Sequence, residues 1–194
     1  MHKNRLEAFS DGVMAILITI MILEIKVPAG HELADLKPLT APLLAYLMSF
    51  IHLGVYWHNH HHLMQAVKHV NGKILWANSH LLFWLSLVPI GTLWLGESGF
   101  ATTPTAIYGT LLAGAGVGYF LLARSLVKHH GDDSALARAI GADIKGKVSI
   151  LIYLVAIGLS FLNAYVAVAL YAAVAVMWLV PDTRIEKILA GHSD

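Results

Sequence analysis

The residues best placed to do chemistry lie on the first apolar run, Arg5 to Glu24, a membrane-length segment with Asp11 inside it. An ionisable group in such a run is expensive and marks a functional position. On a helix each residue advances by about 100°, so Gly12, Ile16, Thr19 and Leu23 fall on one narrow stripe. The stripe is small, then branched, then hydroxylated, then apolar again. Asp11 points roughly 140° away from Ile16 on the same wheel. One helix thus offers an apolar face with a single hydroxyl and, separately, a polar anchor near its start.

Two chemistries suit Asp11. It can relay protons, as carboxylates do in coupled transporters, or it can accept hydrogen bonds from Arg5, Trp57, His60, His61 or Asn78 on neighbouring helices. A relay needs a chain of ionisable groups across the membrane, and this helix has none between Asp11 and Glu24. The anchor is therefore the favoured reading. Thr19 either bonds back to the carbonyl of Ala15 or joins Ile16 and Leu23 in lining a pathway, and periodicity leaves both open. Glu24 stands equally for a cation-attracting mouth or a simple water interface.

The second apolar run ends Trp57-His58-Asn59-His60-His61-His62. His58, His61 and His62 stand at i, i+3 and i+4, a spacing at which neutral imidazoles hold zinc or copper. No carboxylate or cysteine lies within a turn of them, and the H-E-x-x-H pattern of metalloproteases is absent. The favoured reading is a hydrogen-bonding cluster at the membrane interface. No resident metal, cofactor or catalytic residue is expected, and the chain does not read as an enzyme.

These groups must be positioned by elements that suit lipid. The 194 residues are 57% hydrophobic and only 13% charged, with a mean hydropathy of +0.66, against about a quarter charged in soluble domains. A net charge of +1 says nothing of nucleic acid and no basic tract suggests it, so no nucleic-acid partner is expected. The absence of cysteine excludes disulfides, thiolate metal sites and cysteine nucleophiles. The first run carries an acid and lacks a small-residue cleavage site, so it is expected to stay rather than be removed as a signal peptide.

Six segments approach the roughly 20 residues that span a hydrocarbon core: 8–26, 40–64, 74–96, 105–127, 147–162 and 165–181. The fold class expected is all-α, a single six-helix transmembrane domain over 1–194. Pro42 suits the first turn of the second helix. Pro89 predicts a kink in the third, because it frees the carbonyl of Leu85. Ser134 to Ile140 reads as a short surface helix. Gly114 and Gly118 form a GxxxG step whose simplest role is helix packing within the protomer. Trp76, Trp84, Trp94 and Trp178 read as interfacial belt residues.

Charge sets the orientation. Eleven of the thirteen basic residues, Lys3, Arg5, Lys68, Lys73, Arg124, Lys128, Arg138, Lys145, Lys147, Arg184 and Lys187, fall on one side of a six-span layout. Only Lys26 and Lys37 lie opposite. The positive-inside rule then puts both termini in the cytoplasm.

Arg5-x-x-x-Phe9-Ser10-Asp11-Gly12, followed by Ala15-Ile16 and Thr19-x-x-x-Leu23-Glu24, resembles the signature of transmembrane protein 175, the bacterial and endolysosomal potassium channel family. Supporting matches are Tyr56-Trp57-x-Asn59-His60-His61 and Leu75-Trp76-x-Asn78. The resemblance implies a prokaryotic integral membrane protein of six helices, assembled as a homotetramer around the first helix in the lipid bilayer. It also implies permeant potassium ions and a constriction carried by Ile16, Thr19 and Leu23. Phe9, Ser10 and Asp11 would orient the pore helix, with Arg5, Trp57, His60, His61 and Asn78 as its anchoring partners. No Thr-Val-Gly-Tyr-Gly filter is present. Met14, His58 and His62 depart from the residues usual in the family. The expected function is a passive, potassium-preferring cation channel. The alternative is a proton-coupled secondary transporter using Asp11 and the helix-two histidines.

Overall fold

The computed structural model describes residues 3–67, 69–131, 134–141 and 143–179. Lys68, Arg184, Lys187 and the expected end of the last helix at 181 lie outside the described residues. The helices are α1 (Lys3–Leu23), α2 (Thr40–Gln65), α3 (Gly72–Ser86), α4 (Val88–Glu97), α5 (Thr102–His130), α6 (Ala135–Ile140), α7 (Ile144–Ser160) and α8 (Ala164–Leu179), with a 3-10 helix over Leu33–Leu39 before α2. Among the described residues there is no strand, and the fold is all-α. Taking α3 and α4 as one broken span, six segments run back and forth: α1, α2, α3–α4, α5, α7 and α8.

Several bounds differ from those read off the sequence. The first helix runs over Lys3–Leu23 rather than 8–26. Its polar start is held by Lys3, whose Nζ donates to the carbonyl of Met64 at 3.0 Å. Its end comes early, with Glu24 already in a turn and Pro28 keeping Val27 out of helix a few residues on. The disturbance expected at Pro89 falls at Leu87, a single residue with right-handed helical backbone between α3 and α4. Pro89 sits in the first turn of α4, and Leu87 closes α3 with bonds back to Leu85 and Trp84. The missing donor of Pro89 is harmless there, because the turn at Leu87 makes it the start of the next helical stretch.

The α5 helix extends to Thr102–His130, beyond 105–127 at both ends. The α7 helix begins three residues before 147, because the Asp143 side chain caps it by accepting from the backbone N–H of Gly146 at 3.2 Å. Asn163 performs the same service for α8 through Tyr165 and Val166 at 3.0 and 3.3 Å. The helix at Ala135–Ile140 starts on Ser134, whose hydroxyl accepts from Ala137 at 3.1 Å.

Small residues let backbones meet. A Cβ at Gly118 would stand 2.9 Å from the Cα of Leu81, and one at Gly114 would enter the Trp84 ring. The GxxxG step therefore packs α5 on α3 inside the protomer. Gly96 likewise brings α4 to within 2.7 Å of the Pro42 Cα for such a Cβ. At the centre, the hydroxyl of Ser49 bridges Thr92 at 2.6 Å and Tyr108 at 2.8 Å, all three buried. Trp76 and Trp94 are exposed. Trp178 is half-buried, and its indole donates to Ser149 on α7 at 2.8 Å. Trp84 donates to His80 at 3.1 Å while covering Gly114.

Candidate functional site

The α1 helix has two opposed faces. Leu6, Ser10, Met14, Leu17 and Met21 are buried against the rest of the bundle. Phe9, Gly12, Ile16, Thr19 and Leu23 are exposed, Ile16 at 57% and Leu23 at 80%. At the helical step, these two rows point roughly 150° apart. The stripe Gly12, Ile16, Thr19 and Leu23 thus forms the open side of the helix, with Leu23 its last residue.

Thr19 satisfies both geometries considered for it. Its hydroxyl donates back to the carbonyls of Ile16 at 3.0 Å and Ala15 at 3.1 Å, yet the side chain stays on the open face. The proton is committed to the backbone, and the oxygen's lone pairs are left to face outward. That is the polarity a cation or its water needs.

Three polar contacts fasten the start of α1. Lys3 reaches Met64 as described above. Asp11 Oδ1 accepts from the indole Nε1 of Trp57 at 3.0 Å. Deeper, a buried chain runs between three helices: His60 Nε2 donates to Asn78 Oδ1 at 2.9 Å, Asn78 Nδ2 donates to Ser10 Oγ at 2.9 Å, and Ser10 Oγ donates to the Leu6 carbonyl at 2.8 Å. Asn78 fixes the histidine tautomer, since its carbonyl oxygen only accepts.

The remaining expected anchor residues lie elsewhere. Arg5 is exposed and sits on the stripe side of α1, about 120° from Asp11, so the partner of Asp11 is Trp57 and not Arg5. Phe9 is also exposed, on the edge of the open face. His61 stacks on Trp57, with ring centroids 5.9 Å apart and planes 18° apart, and turns Nδ1 to Glu7 Oε1 at 3.5 Å. Sequence reasoning missed Glu7 and Lys3. The signal was there for Glu7: Glu7 and Asp11 are four apart on α1, and Trp57 and His61 are four apart on α2, so the pairs meet rung to rung.

The histidine triad does not converge. His58 and His62 meet through their Nε2 atoms at 2.8 Å, while His61 faces Glu7 and Gln65. Among the described residues no three His, Cys, Asp or Glu side chains gather round one point. Glu24 lies beyond the helix, beside a surface groove that also involves Tyr46 and Glu97.

The family model described as endosomal/lysosomal potassium channel TMEM175 matches residues 5–89, which hold every residue of the stripe and all of its fastenings but Lys3. A potassium channel of Chryseobacterium sp. (strain P1-3) is 53% identical over 189 residues, covering 97% of this chain and 98% of that one. The human protein named endosomal/lysosomal proton channel TMEM175 is 36% identical over 116 residues, 54% of this chain and 23% of its own length. The crystal structure of a lysosomal potassium-selective channel TMEM175 homolog from Chamaesiphon minutus superposes with a TM-score of 0.79 at 31% identity, over 92% of this chain and 96% of that one. The chain belongs to the TMEM175 family.

Proposed function

We propose that the protein is a potassium-preferring cation channel of a prokaryotic cell membrane, in which four copies turn the open face of α1 toward a common axis. The observation that carries this reading is that face: a row of exposed apolar side chains with one hydroxyl, set opposite the row by which the same helix is buried. Family membership and full-length similarity to proteins named potassium channels support it. The excess of basic residues puts both termini in the cytoplasm.

In this arrangement Ile16 makes the narrowest ring. Branched apolar side chains raise the cost of wetting and of removing an ion's hydration shell. Potassium holds its water less tightly than sodium and crosses such a neck at lower cost. Thr19 stands next to the ring along α1, and its outward lone pairs receive the partly dehydrated ion. Leu23 continues the apolar wall. The helix-one polar contacts hold this wall in register, and no catalytic step is involved.

The secondary-transporter alternative is less favoured because the hydrogen-bond partners, an indole on Asp11 and a side-chain amide on His60, are not themselves proton-exchanging groups of a relay. The test is ion flux from proteoliposomes holding purified protein, with potassium, sodium and pH gradients imposed separately. The expected result is passive current reversing close to the potassium equilibrium potential. Saturable flux that requires a proton gradient would replace the channel by the transporter.

A further inference from the structure

The last two turns of α2 carry a feature that ion permeation does not use. His62 Nε2 and His58 Nε2 lie 2.8 Å apart, one turn from each other on the same face. Their rings stand 84° apart with centroids only 4.3 Å apart, so the nitrogens meet at an angle and not head-on. Two nitrogens each about 2.0–2.1 Å from one ion, at a right angle, stand roughly 2.9 Å apart. The observed separation is close to that of a chelate, with a hydrogen bond now joining the two nitrogens that would share the ion. His58 is exposed and His62 half-buried, so the pair is open on one side. The other ring nitrogen of His62, Nδ1, is buried without a partner, which leaves Nε2 as the one that can meet an ion.

We propose that His58 and His62 form a two-nitrogen site for a borderline divalent ion of the copper(II) and nickel(II) class, with water completing its coordination. The chemistry selects this class. Imidazole nitrogens suit first-row ions late in the stability order, and a right-angle nitrogen pair suits the tetragonal geometry of copper(II) and nickel(II). Calcium and magnesium require oxygen ligands, and the pair offers none. His61 is not a ligand, because its ring lies against Trp57 and its Nδ1 faces Glu7. The site flanks Trp57, whose indole fastens α1 through Asp11, so an ion bound there stiffens α2 where the first helix is attached.

The test is calorimetric titration of nickel chloride into tag-free, detergent-solubilised protein, paired with thermal unfolding. It does not depend on current and stands or falls separately from the channel reading. The expected result is one ion per protomer and a raised unfolding midpoint, since a ligand that binds only the folded state stabilises it. His58→Ala and His62→Ala should each weaken binding by on the order of tenfold or more, because each removes one of two nitrogen ligands. His61→Ala should leave the affinity unchanged, and acidification should weaken it as protons compete for the imidazoles. Absence of nickel binding by the unmodified protein overturns the proposal whatever the variants do. Equal loss in His61→Ala, or no loss in His58→Ala, overturns the two-histidine assignment.

Discussion

The indole Nε1 of Trp57 donates to Oδ1 of Asp11 across 3.0 Å, and one turn away on both helices His61 meets Glu7 at 3.5 Å. The α1 and α2 helices are thus joined by two rungs, one an indole on a carboxylate and the other an imidazole beside one. The first rung is partly open to solvent, with Trp57 42% exposed.

That exposure sets the magnitude of its loss. Hydrogen bonds to charged groups contribute about 1.5–3 kcal/mol when sheltered, so Trp57→Phe should cost about 1–1.5 kcal/mol here. Asp11→Ala should cost a similar amount, and Asp11→Asn, which keeps an acceptor in place, distinctly less. Denaturant unfolding of the two single variants and the double variant gives the coupling energy directly. Strict additivity would mean that the bond contributes nothing.

Asn78 is a sharper case, because it is buried and serves two partners at once. Asn78→Ala leaves His60 Nε2 without its acceptor and removes the donor to Ser10. Each buried group left unpaired costs about 1–3 kcal/mol. Ser10→Ala breaks only one of these interhelical bonds, leaving Asn78 Nδ2 without its acceptor, and such bonds in membrane proteins average about 0.6 kcal/mol. Thermal unfolding should therefore rank Asn78→Ala well below Ser10→Ala in stability.

Gly118 and Gly12 should behave oppositely when changed to alanine. The Gly118 methyl would meet the Leu81 backbone at 2.9 Å, so α3 and α5 must separate, at about 1–3 kcal/mol of overpacking strain. A methyl at Gly12 meets nothing within 4 Å in the protomer, and replacing a mid-helix glycine gains about 1 kcal/mol in propensity. Gly12→Ala should raise or preserve stability yet lower single-channel current, since in the proposed assembly the added methyl would face the conducting axis. Unchanged current would take Gly12 off the permeation path.

Ile16 and Thr19 separate size from chemistry. Ile16→Asn should ease wetting of the neck and raise leak of both potassium and sodium. Thr19→Val keeps the branched shape and deletes the lone pairs, so the potassium-to-sodium permeability ratio should fall, while Thr19→Ser should retain it. Bi-ionic reversal potentials measure this. An unshifted value in Thr19→Val would reduce the hydroxyl to its bonds with Ile16 and Ala15.

What was legible in the sequence follows from what helical periodicity can carry. The open stripe of α1 was readable because a 100° step fixes which residues share a side, whatever packs on the other. The partner of Asp11 was one of five candidates, because choosing among them needs the rotation of α2 against α1, which no single-helix pattern holds. Pro89 signalled a disturbance but not its form; the break depends on Leu87 closing one helix as the next begins. The early start of α7 was hidden by Asp143, which caps it from a left-handed backbone at φ 45°. The histidines looked like a triad at i, i+3 and i+4, and only the facing Glu7 and Trp57 show why one of them leaves the group.

Among the described residues, the N–H and O–H fastenings of α1 at Lys3, Glu7, Ser10 and Asp11 fall in its first half. Farther along, the helix is held by apolar contact and by one weak bond, from Thr92 to the Met21 sulfur at 3.7 Å. Mechanically this is a cantilever, clamped at one end. From Asp11 to Leu23 it reaches about 18 Å, so a tilt of about 10° at the clamp carries the free end by about 3 Å. Changes near Trp57 and Asp11 therefore act on the far end with leverage, and in the proposed assembly they would set the width at Leu23 from the opposite end of the helix.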